Sequence, residues 1–300
     1  MIGKELEVKR TEKLKKFGFF NVHKPSGMVS SKVVNKLKWL TGVPCGHMGT
    51  LDPLASGVLP VGVGNATRLF DYFLNKEKEY VAEFTFGVAS DTLDSTGELT
   101  YGGRIPTAQE IQAVLPSLTG DVLQIPPKYS AKNVNGKRGY ELARAGVEFE
   151  LQPKAVRIDS VELLGEAETE NAYNFKIRCG GGTYIRSIAR DLAAALGTNA
   201  VMSKLLRTKS GVFTLDNAIE FAELEKDPSL AELENFLIPT ESVLPFPKLY
   251  VSESDEKKLF NGMAVRTEFP DGTYTIDQGG QFYGLAEVKD GKAKTKTKLC

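Results

Sequence analysis

Residues 46–57 read GHMGTLDPLASG and fit neither the 3.6-residue period of a helix nor the alternation of a strand. The glycines of this segment permit conformations that other residues disfavour, and Pro53 restricts Asp52 to extended conformations. We therefore expect turn chemistry to hold the loop and to present the Asp52 carboxylate at a fixed angle. Because an isolated Asp-Pro pair beside glycines is usually only a turn, the rest of the sequence must decide whether this loop is a functional site.

Short apolar strands and amphipathic helices surround this loop without the regular strand-helix-strand rhythm of a doubly wound sheet. The pattern therefore predicts an α+β fold. The predicted strands are Phe19–His23, Val58–Val63, Tyr80–Phe86, Val156–Leu164 and Tyr173–Cys179. The predicted helices are one that ends at Leu40 with Ser30 or Ser31 as its N-cap, Ala66–Leu74, one that runs from the capping box of Thr107 and Glu110 towards Leu115 and is closed by Gly120, and Tyr184–Leu196.

Two segments of the chain differ from this pattern. Residues 128–144 contain five basic residues and one acidic residue, with few apolar residues that could anchor a core, so they predict an excursion from the body. From residue 248 onward, short strands and one helix near 255–260 predict a small β-rich module. The strands predicted there are Leu249–Val251, Ala264–Thr267, Thr273–Ile276 and Phe282–Val288.

The charge and cysteine content exclude several classes of protein. Basic and acidic residues number 38 each, which argues against a wholly basic nucleic-acid binder, although residues 216–241 hold eight acidic residues and one lysine. The three cysteines form no C-x-x-C pair, so we expect reduced thiols rather than disulfides or a zinc site. The N-terminal residues are too polar for a signal peptide, and no apolar run is long enough to cross a bilayer. We expect a soluble, cytoplasmic protein.

The chemistry of the chain must come from its side chains. Histidines, cysteines and acidic residues lack the spacing of a metal cage, and the glycine loops lack the spacing of a nucleotide-binding loop, so we expect no metal and no cofactor. Asp52 is the candidate nucleophile, and Arg186, which follows a glycine turn at the start of a helix, is placed to orient it. A glycosidase would need a second carboxylate, for which Asp91 or Asp94 is available.

Five segments follow one another in an order typical of a known family. They are GHMGTLDPLASG, KEYVAEFTFG with SDTLDSTG, IPPKYSAKNVNGKRGYELAR, GGTYIRSIARDL and LLRT. Over nearly all of residues 19–211 the chain resembles the TruB-type tRNA pseudouridine synthases. The resemblance implies a pseudouridine synthase catalytic fold with a mixed, mainly antiparallel sheet. It also implies isomerisation of uridine 55 in the T loop of tRNA, in which the C1′–N1 bond breaks and C1′ is rejoined to C5.

The resemblance also assigns roles at the reaction centre. Asp52 matches the family's nucleophile, and Arg186 matches the arginine paired with it. Tyr80 matches the tyrosine that stacks on the flipped base and is placed to remove the C5 proton. Asp94 matches the acidic residue that holds the arginine in a charge network. The partner implied is tRNA, bound at its T loop and T arm by a monomeric enzyme without cofactor or metal.

Further residues are matched to substrate contacts. His47 corresponds to a histidine that contacts nucleotides near the target, Leu205 to a leucine that packs against the base, and Lys24 to a lysine that supports the pocket floor. The basic excursion matches the family's RNA-gripping insertion, at about residues 125–150. Its candidate RNA-binding residues are Lys132, Lys137 and Arg138.

The domain division expected from these features has three parts. Residues 1–16 form a charged N-terminal arm, residues 17–247 the catalytic domain, and residues 248–300 a small PUA-like domain that we expect at the acceptor-stem side of tRNA. One departure is the motif LLRT at residues 205–208, where the family often has LRRT, which removes a cation that could contact RNA.

Two alternatives stay open from the sequence. One is a catalytically idle RNA-binding or RNA-folding protein on the same scaffold. The other is a glycoside hydrolase that uses Asp52 and Asp94.

Overall fold

The computed structural model of the chain describes residues 12–74, 76–130, 132–134 and 136–299. The strands of the main sheet are β1 (Gly18–Lys24), β2 (Cys45–His47), β3 (Ser56–Val63), β4 (Lys78–Phe86), β7 (Gly120–Gln124), β10 (Lys154–Glu166), β11 (Ala172–Cys179), β12 (Ala200–Ser210), β13 (Phe213–Thr214), β14 (Ile219–Glu220) and β15 (Ile238–Pro239). Two hairpins lie outside it, β5 (Val88–Ser90) with β6 (Leu99–Tyr101) and β8 (Asn133–Val134) with β9 (Lys137–Arg138). The C-terminal sheet consists of β16 (Val265–Arg266), β17 (Gly272–Gln278), β18 (Gln281–Lys289) and β19 (Lys292–Lys298).

The α-helices lie between these strands. They are α1 (Ser30–Thr41), α2 (Phe70–Leu74), α3 (Ala108–Val114), α4 (Gly139–Arg144), α5 (Ile185–Ala195), α6 (Phe221–Glu225), α7 (Leu230–Phe236) and α8 (Glu253–Phe260). Short 3₁₀ helices span Gly64–Leu69, Leu115–Leu118, Leu215–Asn217 and Thr240–Val243. No helix within the described residues is long and apolar enough to cross a membrane.

The main sheet is mixed and mainly antiparallel, as predicted. Its strands run in the order β14-β1-β3-β12-β4-β11-β10-β7, and parallel pairing occurs between β1 and β14 and between β3 and β12. One large core cluster covers the sheet, to which α1 contributes Val33, Leu37 and Leu40. The α+β fold class is confirmed.

Several local predictions are correct. The capping box of Thr107 and Glu110 is present at the start of α3, and Gly197 follows α5 with a φ of 67°.

Two other helix predictions are only partly correct. The helix predicted at Ala66–Leu74 is instead a 3₁₀ helix followed by α2. Gly120 does not close α3; it lies in β7, after the intervening 3₁₀ helix.

The N-cap prediction for α1 is wrong. The N-cap residue is Val29, which makes no side-chain cap bond. The hydroxyl of Ser30 is buried and is bonded to the backbone of Leu51, in the loop that carries Asp52. A tertiary contact therefore takes the polar group that the local pattern assigns to the helix end.

The sequence analysis did not identify β12, which lies at the centre of the sheet between β3 and β4. Residues 200–210 do not alternate strictly between apolar and polar side chains, because both Lys204 and Arg207 interrupt the pattern and two bulges shift the register. This strand carries Leu205 and Arg207 into the region of the candidate site.

The C-terminal module has its own apolar core and also packs against the catalytic body. Leu285 and Leu299 belong to the cluster that contains Phe19 and Phe73 of the body. Residues 249–251 do not form the predicted strand; only a bridge from Lys248 to Thr275 lies nearby. β19, which was not predicted, completes the sheet.

The domain boundaries stay a prediction. Of the N-terminal arm, residues 1–11 lie outside the described residues. Leu14 is buried, and its amide donates to the carbonyl of Thr41 at the end of α1. The insertion contains β8, β9 and α4 between β7 and β10.

Candidate active site

Side chains from distant segments, more than turn chemistry, hold the loop that carries Asp52. Within the loop, the Ala55 amide donates to the Asp52 carbonyl at 3.1 Å. On one side Arg207 donates from Nη2 to the Gly49 carbonyl at 3.1 Å. On the other, the Ser30 hydroxyl donates to the Leu51 carbonyl at 2.8 Å and accepts from the Leu51 amide at 3.0 Å. The expectation that local turns would hold the loop is therefore only partly correct.

Residues 24–28 hold the second half of this loop. The Gly27 amide donates to the Pro53 carbonyl at 2.8 Å, and the Ser26 hydroxyl donates to the Leu54 carbonyl at 2.6 Å. Lys24 is fully buried, and its ammonium group donates to the carbonyl of Met28 at 2.6 Å and to that of Pro53 at 3.4 Å. The backbone on both sides of Asp52 is thus fixed by hydrogen bonds.

Asp52 and Arg186 form a two-point ion pair. Nε of Arg186 lies 2.8 Å from Oδ2 of Asp52, and Nη2 donates to Oδ1 at 3.0 Å. The arginine side chain is 6% exposed, whereas the aspartate side chain is 32% exposed. The guanidinium fork therefore orients a carboxylate that still has a face open to a substrate.

The other edges of the Arg186 guanidinium are also occupied. Nη1 donates to the Thr92 carbonyl at 2.9 Å and lies 3.5 Å from Oδ2 of Asp94. Nη2 also donates to the Tyr129 carbonyl at 3.1 Å. Arg186 therefore connects the Asp52 loop to the Asp94 turn and to the insertion.

Asp94 is a buried carboxylate with a complete set of partners. Its Oδ1 accepts from the Thr92 hydroxyl at 2.8 Å and from the Thr96 amide and hydroxyl at 3.0 and 2.5 Å. Its side chain is 7% exposed, so it is poorly placed to protonate a leaving group. This geometry disfavours the glycoside hydrolase alternative with Asp52 and Asp94 as the acid pair.

Tyr80 lies on β4, on the face of the sheet that carries the site. Its ring is 6% exposed, and its cross-strand neighbour on β12 is Arg207, while Leu205 lies opposite Ala82. Burial raises the pKa of Tyr80 to about 12, although the positive charge of Arg207 opposes this rise. The phenol is therefore a weak acid in the free protein.

Other ionisable groups beneath the loop are also shifted by burial. Burial lowers the pKa of Lys24 to about 8 and that of Lys78 to about 8. His47 lies on β2, where burial and the charge of Arg207 lower the pKa of its imidazole. Its Nδ1 has no hydrogen-bond partner among the described residues. The region under Asp52 thus holds several cationic side chains close together.

The root of the insertion is attached to α5. Gln124 exchanges two hydrogen bonds with the backbone of Tyr184, and the hydroxyl of Ser187 donates to the Ile125 carbonyl at 2.9 Å. Within the insertion Lys132 is half-buried and Lys137 is exposed. The side chain of Arg138 lies outside the described part of the structure.

Family models match most of the catalytic region. Residues 38–185 match the N-terminal domain of the TruB family pseudouridylate synthases, and residues 186–245 match the C-terminal domain of tRNA pseudouridylate synthase B. The tRNA pseudouridine synthase B of Bacillus licheniformis is 42% identical over 258 residues, which span 83% of this chain and 84% of that protein. The chain belongs to the TruB family. The resemblance inferred from the five segments is confirmed.

Other relatives extend the match along the chain. The tRNA pseudouridine synthase B of Caldanaerobacter subterraneus is 35% identical over 93% of this chain and 98% of its own length. A chain of the solved Cbf5-Nop10-Gar1 complex superposes with a TM-score of 0.69 at 24% identity, over 95% of this chain and 85% of that chain. The second likeness concerns the fold alone.

Set against the TruB resemblance, the structure brings Asp52, Arg186 and Asp94 into one network and places Tyr80 and Leu205 on one face of the sheet. Lys24 faces carbonyl groups, as a support for the pocket floor would. Sequence reasoning did not identify Ser30 or Arg207 as parts of the site. The sequence indicated Arg207 only through its place in the LLRT motif. In the structure its side chain is buried, at 1% exposure.

Proposed function

We propose that this TruB-family protein is a tRNA pseudouridine(55) synthase, an isomerase that acts on a uridine in the T loop. The observation that carries the proposal is the partly exposed Asp52 carboxylate held by the buried Arg186 fork. An RNA-binding protein without catalysis has no need of a buried arginine that orients an accessible carboxylate. The assembled site therefore favours the enzyme over the idle RNA-binding alternative.

Asp52 is the nucleophile of the proposed reaction. The proposed role of Arg186 is to orient this carboxylate through its two-point contact. The uridine must first leave the stacked T loop, at a cost of a few kcal/mol that stacking on Tyr80 offsets. Breaking the C1′–N1 bond frees the base to turn, and C1′ is then bonded to C5.

Tyr80 is the proposed acceptor of the C5 proton. With a pKa of about 12, ionising the phenol at pH 7 costs about 7 kcal/mol. A phenol this weakly acidic is better suited to relay a proton, releasing its own as it accepts another, than to exist as a phenolate before the reaction. The burial of Tyr80 therefore makes proton transfer dependent on nearby positive charge.

We propose that RNA contacts extend from His47 and Leu205 beside the target to Lys132, Lys137 and Arg138 of the insertion. Each phosphate that a cation neutralises steepens the dependence of affinity on salt. The attachment of the insertion to α5 through Arg186 and the Tyr129 carbonyl gives it a direct link to the nucleophile. RNA capture and alignment of Asp52 would thus be coupled.

The C-terminal module offers a second surface for tRNA. Arg266, Lys292 and Lys289 are direct neighbours across three strands of its sheet, and all three are exposed. Like charges side by side destabilise a sheet, and an exposed row of three cations suits a polyanionic partner. We place the acceptor-stem side of tRNA against this row.

We further propose that the protein acts as a monomer in the cytoplasm, where its substrate matures. Size-exclusion chromatography with light scattering tests the oligomeric state.

The function is tested with pure protein and a tRNA transcript that carries no modification. After incubation without added metal, the expected product is pseudouridine at position 55 and nowhere else. A T-arm hairpin should also be converted. Formation of free uracil, or an unmodified transcript after complete binding, would contradict the proposal, the first in favour of glycoside hydrolysis and the second in favour of an idle RNA-binding protein.

A further inference from the structure

Arg207 is the largest fully buried side chain among the described residues. It lies on β12, and its Nε donates to the Val58 carbonyl of β3 at 2.7 Å. Its Nη2 donates to the Gly49 carbonyl at 3.1 Å, three residues before Asp52. One guanidinium thus joins the central sheet to the nucleophile loop.

Among the described residues, no carboxylate lies within ion-pair distance of this charge. The ion pairs formed by the described residues do not include Arg207. Its ionisable neighbours include Lys24, His47 and Lys78, and its charge contributes to lowering the pKa of each, after burial. A buried cation without an anionic partner is costly. The cost points to a role other than stability.

The position of Arg207 suggests what that role is. Tyr80 is its direct neighbour on β4, and Gly57 of β3 is its neighbour on the other side. A Cβ on Gly57 would lie 2.3 Å from the carbonyl oxygen of Arg207, so β3 can approach β12 only because this residue is glycine. The Arg207 guanidinium therefore holds the Asp52 loop through Gly49, while its charge acts on the phenol of the neighbouring Tyr80.

We propose that Arg207 is a positioning residue for the isomerisation, which locks the Asp52 loop onto the sheet and supplies positive charge that stabilises the Tyr80 oxygen as it gives up its hydroxyl proton towards N1 and takes the C5 proton in its place. This inference rests on the proposed function. When C1′ bonds to C5, the hydrogen on C5 leaves as a proton, and N1, which has lost its bond to C1′, gains one. No oxidant or further reactant is needed. Arg207 itself does not touch the substrate.

The test compares Arg207→Gln, which removes the charge, with Arg207→Lys, which keeps a charge but loses the fork. Lys209→Gln is the matched control, because it removes a surface cation two residues further along β12. The single-turnover rate, the dissociation constant for a T-arm hairpin and the rate ratio between ordinary and C5-deuterated uridine are measured for each protein. The isotope ratio reports how far removal of the C5 proton limits the rate.

We expect Arg207→Gln to lower the single-turnover rate by about 100-fold or more while the dissociation constant stays within about threefold. The isotope ratio should rise by at least about half, since proton removal becomes slower than the other steps. Arg207→Lys should regain part of the rate and return the isotope ratio towards the wild-type value. Lys209→Gln should match the wild type in all three measurements.

Three results would overturn the inference. All three concern Arg207→Gln: a rate within about threefold of the wild type, equal losses of rate and RNA affinity, or a slow rate with the wild-type isotope ratio. If Arg207→Gln does not fold, the same three measurements on Arg207→Lys test the inference. Because lysine keeps the positive charge but loses the fork, its single-turnover rate should fall while its isotope ratio stays near the wild-type value. Absence of pseudouridine with the wild-type protein would instead defeat the proposed function.

Discussion

Asp52 can be tested without changing the shape of the site, because asparagine is nearly isosteric with aspartate but cannot act as the nucleophile. We expect Asp52→Asn to lower turnover by at least about 1,000-fold while tRNA affinity stays within a few fold. Pseudouridine formation and filter binding measure the two quantities. Asp91→Asn, which neutralises an exposed carboxylate in the neighbouring turn, is the control and should stay active. Undiminished product from Asp52→Asn would remove it from the mechanism.

The buried ammonium group of Lys24 should make the free energy of unfolding depend on pH. The pKa of its buried ammonium falls from 10.5 to about 8 in the folded protein, so between these values the unfolded chain holds a proton that the folded protein has released. The free energy of unfolding of the wild type minus that of Lys24→Met should therefore be constant below pH 8. Between about pH 8 and 10.5 this difference should rise by up to about 3 kcal/mol.

Urea unfolding of both proteins from pH 7 to pH 10 measures this difference, and the contributions of other titrating groups cancel in it. A difference that does not change with pH would show that the folded protein keeps the ammonium protonated.

At the scale of elements, α1 contacts the Asp52 loop through the hydroxyl of Ser30. Ser30→Ala leaves the amide and carbonyl of Leu51 without their partner, which should cost about 1–3 kcal/mol of stability. The rate should fall more than the RNA affinity, because the loop before Asp52 loses its hold. Ser31→Ala is the matched control, since its exposed side chain has no such contact, and should change stability by less than about 0.5 kcal/mol. Equal effects from both serines would contradict this account.

The insertion is the element expected to meet phosphates. Replacing Lys132, Lys137 and Arg138 together by glutamine should reduce the slope of log affinity against log salt by about two to three. Titrations of a T-arm hairpin at several salt concentrations measure the slope. An unchanged slope would show that the insertion does not neutralise phosphates.

Predictions from the sequence are correct where the determining interactions are local. The capping box at Thr107 and the glycine after α5 could be predicted because both helix ends depend on residues within one helical turn of each other. By contrast, the Arg207 bond to Gly49 joins residues 158 apart, and the Ser30 bond to Leu51 joins residues 21 apart. The periodicity of apolar residues along the chain does not predict such long-range contacts. The family motifs indicated Asp52 and Arg186 but not the side chains that hold the Asp52 loop.

At the scale of the molecule, the C-terminal module should distinguish whole tRNA from its T arm. Replacing Arg266, Lys289 and Lys292 together by glutamine should weaken binding of full-length tRNA and leave binding of a T-arm hairpin unchanged. Stability should stay level or rise slightly, because the substitutions remove repulsion between neighbouring cations. Equal weakening for both RNAs would place the acceptor stem elsewhere.

The distance in sequence between Asp52 and Arg207 has a consequence for biosynthesis. A ribosome synthesises Asp52 early, but β12, whose Arg207 holds the Asp52 loop, emerges only after most of the catalytic domain has been translated. A nascent chain that already contains Asp52 should therefore be inert towards the tRNAs around it. The conformational entropy of this loop is lost once, as the domain folds, and not again at each encounter with a substrate.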